Sequence, residues 1–391
     1  MNILVWQWGR RGAGPRFAAC LAESLRERPG IEVILSLCRE AEIMAGPNPP
    51  RCEMPVWTYR GMVSLLLRLI TAPAALPFLI GRLRRVRPDL AICAMPGPLD
   101  LLMAIALRLL GARIVVVVHD ADVHPGDGFP GQMLLQRWLC RHAGGLAVLC
   151  GHVASRLRQQ RLAGSPKRPL IPFKHPPFAF DMPARDQRPG KPRLLCFGRL
   201  LEYKGLDLLA EAMATLPPNA EIELRVVGSG PETAALDALR ACRGVTVENR
   251  WVPEAEIGSL LAWSDALILP YREGSQSGVA AAALAAGRSV IATRVGGLKE
   301  QLSQAPQAVL CEPDAGSLAR AISLWLEAPE LIFEPIDATA SWRQAASDLL
   351  QAIATALPAK LRQSDSRLPG WDVSHARRSS STSTIAAHRR H

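Results

Sequence analysis

Apolar residues in the first half of the chain form short runs, and longer stretches with a helical period separate these runs. The run at 114–118 has no polar face, so it predicts a central parallel strand that is buried on both sides. A helix is predicted around 16–26. The other predicted strands of this half lie at 3–6, 32–37, 90–94 and 146–149. Strands that alternate with helices predict a parallel sheet with right-handed crossover connections.

The second half of the chain repeats this alternation after a stretch around 176–192 that is rich in proline and charged residues. Its predicted strands lie at 193–197, 223–227, 246–247, 266–269, 290–292 and 308–310. Its predicted helices lie at 205–215, 231–241, 254–263 and 279–286. Two such halves predict a two-lobed α/β protein, with a doubly wound parallel sheet in each lobe and a cleft between the lobes.

The break between the halves divides the chain into five segments. They are a first domain at 1–178, a linker at 179–192, a second domain at 193–340, a last helix at 341–357 and a tail at 358–391. The length of 391 residues agrees with two domains, because a single hydrophobic core rarely grows that large.

The composition is that of a globular protein, with 49% apolar and 21% charged residues. The nine cysteines are scattered without the spacing of a metal site, and the chain does not begin with a secretory signal. These features predict free thiols in a reducing cytoplasm and no structural zinc.

The net charge of +11 is unevenly distributed, because the segment from Ala359 onward carries seven Lys or Arg and two Asp, a net of +5. This tail is rich in Ser, Thr, Arg and His and lacks a periodic apolar face, so we expect it to be disordered. Binding of nucleic acid would depend on this tail alone and is the weaker interpretation. The moderate basic excess of the folded part suits an anionic substrate or an anionic surface.

The first candidate site is Gly198-Arg199, followed by Lys204, at the junction of a predicted strand and a predicted helix. In an open α/β sheet, ligands bind at the carboxyl ends of strands and near helix N-termini. A guanidinium can hold phosphate oxygens bidentately, and an ammonium nearby adds a second positive charge. The pair therefore indicates a phosphate ligand, although solvated loop cations would give the same short motif.

The second candidate site begins at Glu273, after the predicted strand 266–269. Its small residues let the backbone approach a ligand, the following helix N-terminus favours an anion, and Glu273 can accept hydrogen bonds from sugar hydroxyls. A simple helix cap by Ser277 is the structural alternative. The candidate donor-binding residues are Gly198, Gly228, Gly230, Gly274, Ser275, Gln276, Ser277, Gly278 and Val279. The two sites together suit a sugar nucleotide, which is a diphosphate attached to a polyol.

The glycines at 228 and 230 end another predicted strand. Pro231 directly after them is predicted to take the first helical position of 231–241, where a missing N–H costs nothing.

The first half contributes His119 and Asp120, which follow the buried run 114–118. A histidine at the carboxyl end of a central strand can donate a hydrogen bond to a sugar in the cleft, although a lone histidine is more often a satisfied buried side chain. The glycine-rich loop with Gly12 and Gly14 does not match the dinucleotide fingerprint, so we expect it to admit a donor or an acceptor.

The segment 61–81 is strongly apolar, but Arg68 and two prolines argue against a membrane span. The arginines that follow it are Arg82, Arg84, Arg85 and Arg87. An apolar face beside an arginine cluster predicts that 61–87 contacts an anionic membrane. An ordinary core helix with a solvated basic end fits this pattern equally well.

With these residues, the chain resembles the retaining glycosyltransferases of the GT-B fold, family 4, over residues 1–357. The Gly-Arg and Lys-Gly pair that binds the donor diphosphate in that family corresponds here to Arg199 and Lys204. The first Glu of the family's donor loop contacts the sugar and corresponds to Glu273. The histidine that lies near the transferred sugar corresponds to His119. Among members of the family, the chain is most similar in pattern to enzymes of surface-polysaccharide assembly.

The rest of the family's donor loop, Gly-Gly-x-x-Glu, corresponds to Gly296-Gly297-Leu-Lys-Glu300. The resemblance implies two Rossmann-like domains, with the acceptor on the first and the nucleotide sugar on the second. It also implies that the last helix, which contains Trp342, crosses back to the first domain.

The resemblance further implies transfer of a hexose-type sugar with retention, without a metal or any cofactor besides the donor. The acceptor would be a saccharide or a lipid-linked saccharide in polysaccharide or glycoconjugate biosynthesis, including exopolysaccharide. The implied catalytic residues are His119, Arg199, Lys204 and Glu273, and residues near the acceptor or donor are Gly12, Gly14 and Asp120. We expect the protein in the cytoplasm, peripherally associated with the inner face of the plasma membrane.

One position departs from the family pattern. The second Glu of the donor loop, eight residues after the first, usually binds the ribose, and Ala281 stands there instead. A methyl group cannot accept hydrogen bonds, so another group binds the ribose, the ribose is held loosely, or activity is lost. The alternatives are a catalytically silent sugar-nucleotide-binding or scaffold protein and a nucleotide-sugar epimerase of the same architecture. The sequence does not name the base, the sugar, the acceptor, the linkage or the oligomeric state.

Overall fold

The computed structural model describes residues 1–128, 131–184, 190–217, 220–327 and 333–357. These residues form two six-stranded sheets, and the strands within each sheet pair in parallel. The predicted fold class, an α/β GT-B arrangement of two doubly wound parallel sheets, is confirmed. The predicted tail at 358–391 lies outside the described residues, as do residues 185–189 of the predicted linker.

The first sheet has the strand order β2-β1-β3-β4-β5-β6. Its strands are β1 (Asn2–Gln7), β2 (Glu32–Leu37), β3 (Leu90–Cys93), β4 (Arg113–Val118), β5 (Gly145–Val148) and β6 (Leu170–Pro172). Its helices are α1 (Ala13–Arg26), α2 (Met62–Val86), α3 (Asp100–Leu109), α4 (Gln132–His142) and α5 (Gly151–Gln159). Residues 114–118 of β4 are buried and contribute alternately to the cores on the two faces of the sheet, as their unbroken apolar run predicts.

The second sheet has the order β12-β11-β10-β7-β8-β9. Its strands are β7 (Arg193–Arg199), β8 (Glu223–Ser229), β9 (Val245–Asn249), β10 (Ala266–Leu269), β11 (Ser289–Thr293) and β12 (Ala308–Cys311). Its helices are α6 (Leu206–Thr215), α7 (Ala234–Ala241), α8 (Glu254–Trp263), α9 (Gly278–Ala285), α10 (Gly296–Leu302) and α11 (Ala315–Leu326). The order reverses between β7 and β10, and ligands of doubly wound sheets bind at this reversal.

The start of α7 corrects one prediction. The helix begins at Ala234, and Thr233 caps it by accepting a hydrogen bond from the Leu236 amide. Pro231 therefore lies before the helix and not at its first position, because the threonine hydroxyl satisfies the amide that fixes where the helix begins.

A final helix, α12 (Ala338–Ala356), follows the second sheet in sequence but packs on α1 and β6. Trp342 on this helix lies in the core of the first sheet, and its indole Nε1 donates to the Pro177 carbonyl at 2.9 Å. The helix therefore completes one apolar face of the first sheet.

Candidate active site

Arg199 ends β7, beside the reversal of strand order in the second sheet. Its guanidinium forms an ion pair with Asp127, which lies in the loop after β4 of the first sheet. The same guanidinium donates to the Tyr203 hydroxyl at 3.0 Å. Arg199 therefore lies between the two halves and holds a carboxylate in this structure.

Lys204 follows on a short helical turn, and its Nζ lies 3.7 Å from the centre of the Tyr271 ring and 4.9 Å from that of Tyr203. Burial, assisted by the positive charge of Arg199, lowers the pKa of Lys204 to about 7. No carboxylate of the described residues forms an ion pair with this ammonium. Two aromatic faces therefore stabilise its positive charge, and the ammonium is available to an anionic ligand.

The loop 273–277 enters α9 with Ser277 as the cap, whose hydroxyl accepts a hydrogen bond from the Ala280 amide at 3.2 Å. Gln301 fixes this loop by accepting from the Ser277 amide at 2.8 Å and donating to the Ser277 carbonyl at 2.9 Å. The Tyr271 hydroxyl also lies 3.2 Å from the Ser277 hydroxyl. The predicted cap is present, and hydrogen bonds with Gln301 and Tyr271 support it.

Gly296 and Gly297 pack against the backbone of the same loop. A Cβ on Gly297 would lie 1.7 Å from the Ser275 carbonyl oxygen, and one on Gly296 would lie 2.2 Å from that of Gly274. These two glycines begin α10, and the Gly297 amide donates to the Gly274 carbonyl at 3.0 Å. The glycine pair therefore provides room for the donor loop and does more than form a turn.

The other predicted glycines are explained by close packing of the backbone. A Cβ on Gly228 would lie 1.6 Å from the Gly198 carbonyl oxygen, and one on Gly230 would lie 2.1 Å from that of Leu200. Gly198 itself has a φ of 123°, which favours glycine, and Val279 packs beside it. These glycines bring the ends of β7 and β8 together, close to the residues that follow β10.

His119 is buried, and both of its ring nitrogens have partners. Nε2 lies 2.8 Å from the Ala94 carbonyl and donates to it, so Nδ1 accepts from the Gln276 amide at 3.1 Å. Burial lowers the pKa of His119, which favours the neutral ring. In this structure His119 orients Gln276 of the donor loop, and its predicted contact with the sugar stays a prediction.

Asp120 and His124, also in the loop after β4, form a chain of hydrogen bonds that reaches Glu273. The His124 ring lies 3.2 Å from Asp120 Oδ1 through Nε2, and 2.9 Å from Glu273 Oε1 through Nδ1. Burial raises the pKa of Asp120, but His124, His119 and Ser275 together hold it below its usual value. Glu273 is predicted to contact the sugar. In this structure its carboxylate contacts His124 of the first half.

Further contacts across the cleft involve helix N-termini. Glu300, the last residue of the family motif, accepts from the Gly151 and His152 amides of α5 at 2.7 and 3.0 Å. Arg16 of α1 donates through Nε to Glu254 at the start of α8 at 2.7 Å. Carboxylates at helix N-termini are stabilising, so these contacts hold the two halves together in this arrangement.

The glycine-rich loop after β1 borders a cavity of about 310 Å³. Gly12 directly precedes α1 and has a φ of 81°, and a Cβ on Gly14 would lie 2.8 Å from Gln7 Nε2. The cavity is lined by Arg10, Arg11, Glu40, Glu42, Trp251 and Pro253. Both halves contribute to its wall, so it is suitable for a ligand that extends across the cleft.

Ala281 lies in the first turns of α9 and is 3% exposed. The buried methyl group supplies no hydrogen-bond acceptor at the position where the family has its second Glu. The effect of this methyl group inside α9 on binding of the ribose stays a prediction.

Sequence reasoning missed the partners that hold these residues. It assigned no role to Asp127, Gln301 or His124, although His124 stands five residues after His119 in the same loop. The signal that was available is the density of charged and polar residues directly after β4, where a parallel sheet exposes its carboxyl end.

Two family models match the chain. Residues 12–172 match a glycosyl transferase 4-like domain, and residues 191–328 match the domain of glycosyl transferases group 1. Together they extend over all strands of the two sheets except β1.

Curated relatives are glycosyltransferases. The chain is 27% identical to a 2-deoxystreptamine glucosyltransferase of Streptomyces kanamyceticus over 69% of this chain and 76% of the relative. It is 27% identical to a GDP-mannose:glycolipid 4-beta-D-mannosyltransferase of Xanthomonas campestris over 49% of this chain and 53% of the relative. The chain thus spans about half the length of the second relative.

Solved structures share the fold. The sucrose-phosphate synthase of Thermosynechococcus elongatus superposes with a TM-score of 0.61 at 19% identity, over 91% of this chain and 96% of the other. Anabaena HepE in complex with UDP-glucose superposes with a TM-score of 0.59 at 17% identity, over 90% and 94%. At this level of identity the likeness shows the fold alone.

Proposed function

Because the chain belongs to the GT-B glycosyltransferases of family 4, we propose that it transfers a hexose-type sugar from a nucleotide diphosphate donor to a saccharide or lipid-linked saccharide acceptor, with retention. The observation that carries the proposal is the position of Arg199 and Lys204. Arg199 ends β7 and Lys204 follows it, at the reversal of strand order. The Lys204 ammonium lies on the ring of Tyr271, whose hydroxyl contacts Ser277, the cap of α9. This arrangement suits the diphosphate of a donor.

The proposed chemistry proceeds on one face of the sugar. The bond between the anomeric carbon and the diphosphate oxygen breaks, and the acceptor hydroxyl oxygen bonds to the same carbon from the same side. The hydroxyl proton goes to the departing diphosphate. Arg199 and Lys204 stabilise the negative charge that develops on that group, so the reaction requires no metal ion. Glu273 orients the sugar through its hydroxyls, and the apposed halves exclude water.

The test is a screen of nucleotide sugars by thermal shift and by hydrolysis, on the wild type, on Arg199→Ala and on the matched control Arg320→Ala. Arg320 is exposed on α11 and bonds only the Ser317 side chain among the described residues. We expect one donor to stabilise the wild type and the control and to be slowly hydrolysed by both, with both effects lost in Arg199→Ala.

Other outcomes would contradict the proposal. Binding without turnover, even with lipid-linked acceptors, would indicate a catalytically silent protein. Ala281, in place of the family's second Glu, is the residue that favours this alternative. Conversion of the donor without any acceptor would indicate an epimerase. No response to any donor would refute the assigned site.

We further propose that the protein acts in the cytoplasm in surface-polysaccharide or glycoconjugate assembly, peripherally bound to an anionic membrane through α2. By length and composition this helix is apolar enough to span a membrane, with a mean hydropathy of 1.9. Only 11% of its most apolar window is buried inside the protein. Leu65, Leu79 and Leu83 bind it to the core of the first sheet. Its exposed apolar residues are Met62, Val63, Leu66, Leu67, Leu69, Ile70 and Phe78.

The fold favours a helix that lies on the membrane and does not cross it. α2 connects β2 to β3, and both strands pair with β1 in one sheet, so its two ends return to the same body. Successive residues turn by about 100° around a helix, and on that scale the exposed apolar residues occupy about half of the circumference, from beside the three buried leucines to the opposite face. Arg84 and Arg85 in the last turn are exposed within the same arc and can contact lipid phosphates.

Vesicle co-sedimentation tests the membrane proposal, with phosphatidylglycerol–phosphatidylcholine vesicles against pure phosphatidylcholine. We expect the wild type to bind the anionic vesicles, and Ile70→Gln and the pair Arg84→Glu with Arg85→Glu each to bind them much less. Leu324→Gln is the control, because Leu324 is an exposed leucine on α11. Equal loss in this control, or equal binding to neutral vesicles, would refute the proposed surface.

A further inference from the structure

His124, in the loop after β4, is held on three sides by residues of both halves. Its Nε2 lies 3.2 Å from Asp120 Oδ1 and its Nδ1 lies 2.9 Å from Glu273 Oε1. Its ring stacks on Tyr203, with 4.5 Å between the centroids and 17° between the planes. Only 14% of its side chain is exposed.

The number of protons on the ring decides how many of these hydrogen bonds can form. A neutral imidazole carries one N–H and can donate to one carboxylate, whereas an imidazolium donates to both. Both distances in the structure are those of hydrogen bonds, so the geometry fits the imidazolium. Burial opposes the charged ring, but Asp120 and Glu273 outweigh it and raise the pKa of His124.

Other charged groups lie around Tyr203, the ring on which His124 stacks. Arg199 donates to the hydroxyl of this tyrosine and pairs with Asp127, and the Lys204 ammonium lies 4.9 Å from the tyrosine ring centre. The positive charges of Arg199 and Lys204 therefore both contact the tyrosine that His124 contacts.

We propose that His124 is a positioning residue, which in its protonated form holds the Glu273 carboxylate in place to bind the sugar of the donor. The proposal rests on the proposed function, in which Glu273 contacts that sugar. His124 engages Glu273 Oε1, so Oε2 remains to accept from a sugar hydroxyl. Because His124 belongs to the first half and Glu273 to the second, the sugar contact is completed only when the two halves are apposed.

The proposal fixes the direction of a pH effect. The folded-state pKa of His124 is raised, so both hydrogen bonds are present below that pKa and one is lost as the pH rises through it. Deprotonation leaves a lone pair facing one carboxylate, and Glu273 is then less well oriented. Recognition of the sugar therefore weakens with rising pH.

Two substitutions separate positioning from a general structural role. His124→Ala removes both donors. His124→Asn places an amide N–H near the position of Nδ1, so it can still donate to Glu273, but it does not titrate. His142→Asn is the control, because His142 ends α4, at the opposite end of the sheet, and bonds its own helix at the Trp138 carbonyl.

Calorimetry at pH 6.5 compares UDP-glucose with UDP and GDP-mannose with GDP. For the pair that the wild type binds, we expect His124→Ala to lower the affinity for the nucleotide sugar roughly tenfold, the value of a lost hydrogen bond to a charged group. The affinity for the nucleoside diphosphate should change less than twofold. His124→Asn should recover most of the lost affinity for the nucleotide sugar. The ratio of wild-type to His124→Asn affinity for the nucleotide sugar should fall as the pH rises, and the contribution of Lys204 cancels in that ratio.

The histidine ring signals in an NMR titration report the pKa of His124 and do not depend on an activity assay. The signal absent from His124→Asn should titrate above the ordinary histidine range, and Glu273→Gln should lower its pKa. Equal weakening of nucleotide sugar and nucleoside diphosphate, a ratio that does not change with pH, or an ordinary pKa unaffected by Glu273→Gln would each overturn the proposal. If the wild type bound no nucleotide at all, the proposed function would fail, and this inference with it.

Discussion

Donor binding should take up a proton at Lys204. In the donor-free protein the pKa of Lys204 is about 7, because burial and the charge of Arg199 disfavour the ammonium. A donor diphosphate beside the ammonium would raise this pKa towards the ordinary lysine value. Below pH 7 the lysine is protonated with and without the donor, so Lys204 contributes no pH dependence to the affinity. Above pH 7 the free protein has lost the proton that the complex requires, and the affinity should fall by about tenfold for each pH unit.

Calorimetry with the donor identified by the screen measures this effect directly. At pH 8, titrations in two buffers of different ionisation enthalpy should show uptake of roughly one proton for each donor bound. A nucleotide sugar is a suitable ligand, because its phosphates are diesters that do not titrate near neutral pH. Lys204→Arg is the control, since a guanidinium keeps the charge and cannot lose it in this range.

A slope that persists unchanged in Lys204→Arg would refute the reasoning, because the titrating group would then be another one. An affinity that does not change between pH 7 and pH 9 in the wild type would refute it as well. The contribution of His124 does not interfere, since it is present in both proteins.

Two further predictions concern residues around the same loop. Asp127→Asn removes the carboxylate that competes for Arg199, and since a partly exposed ion pair is worth up to about 1 kcal/mol, calorimetry should show the nucleotide-sugar affinity rising by up to roughly fivefold; a weaker affinity would mean that Asp127 orients Arg199 and does not compete with the donor. Gly297→Ala places a Cβ 1.7 Å from the Ser275 carbonyl oxygen and should lower the free energy of unfolding by about 1–3 kcal/mol in chemical denaturation, with loss of donor binding. Gly316→Ala should be close to neutral, since its Cβ would have no neighbour nearer than 3.5 Å among the described residues, and equal destabilisation in both variants would contradict the argument.

The positions of strands and helices could be predicted from the sequence because they depend on local patterns. The predicted strand 32–37 and helix 254–263 coincide with β2 and α8. A strand buried on both faces must be apolar throughout, as 114–118 is, and this requirement holds whatever the strand packs against.

The contacts that organise the site could not be predicted, because they join residues far apart in the chain. Arg199 meets Asp127 across 72 residues, and His124 meets Glu273 across 149. No local pattern encodes such partners, since they result from how two sheets face each other. The sequence indicated the correct edges of the sheets but not which side chains touch across them.

The exposure of α2 also could not be predicted from the sequence. Its composition predicts an apolar helix but is the same for a core helix and for a helix at a surface. The structure excludes a helix that is buried on all sides, because Val63, Ile70 and Phe78 are 75, 74 and 72% exposed. That this exposed apolar face binds a membrane stays a proposal.

The loop after β4 contacts at once three residues of the second half that are predicted to bind the donor. His119 orients Gln276, His124 binds Glu273 and Asp127 binds Arg199.

The first two contacts can persist when a donor binds, whereas the third places a carboxylate where the diphosphate would go. A donor must therefore displace Asp127 but can keep the two histidine contacts. Asp127 therefore opposes the donor, since its ion pair with Arg199 has to break before the guanidinium can bind phosphate oxygens. The same loop thus completes the sugar contact and competes for the phosphate contact, and it does both only while the two halves are apposed.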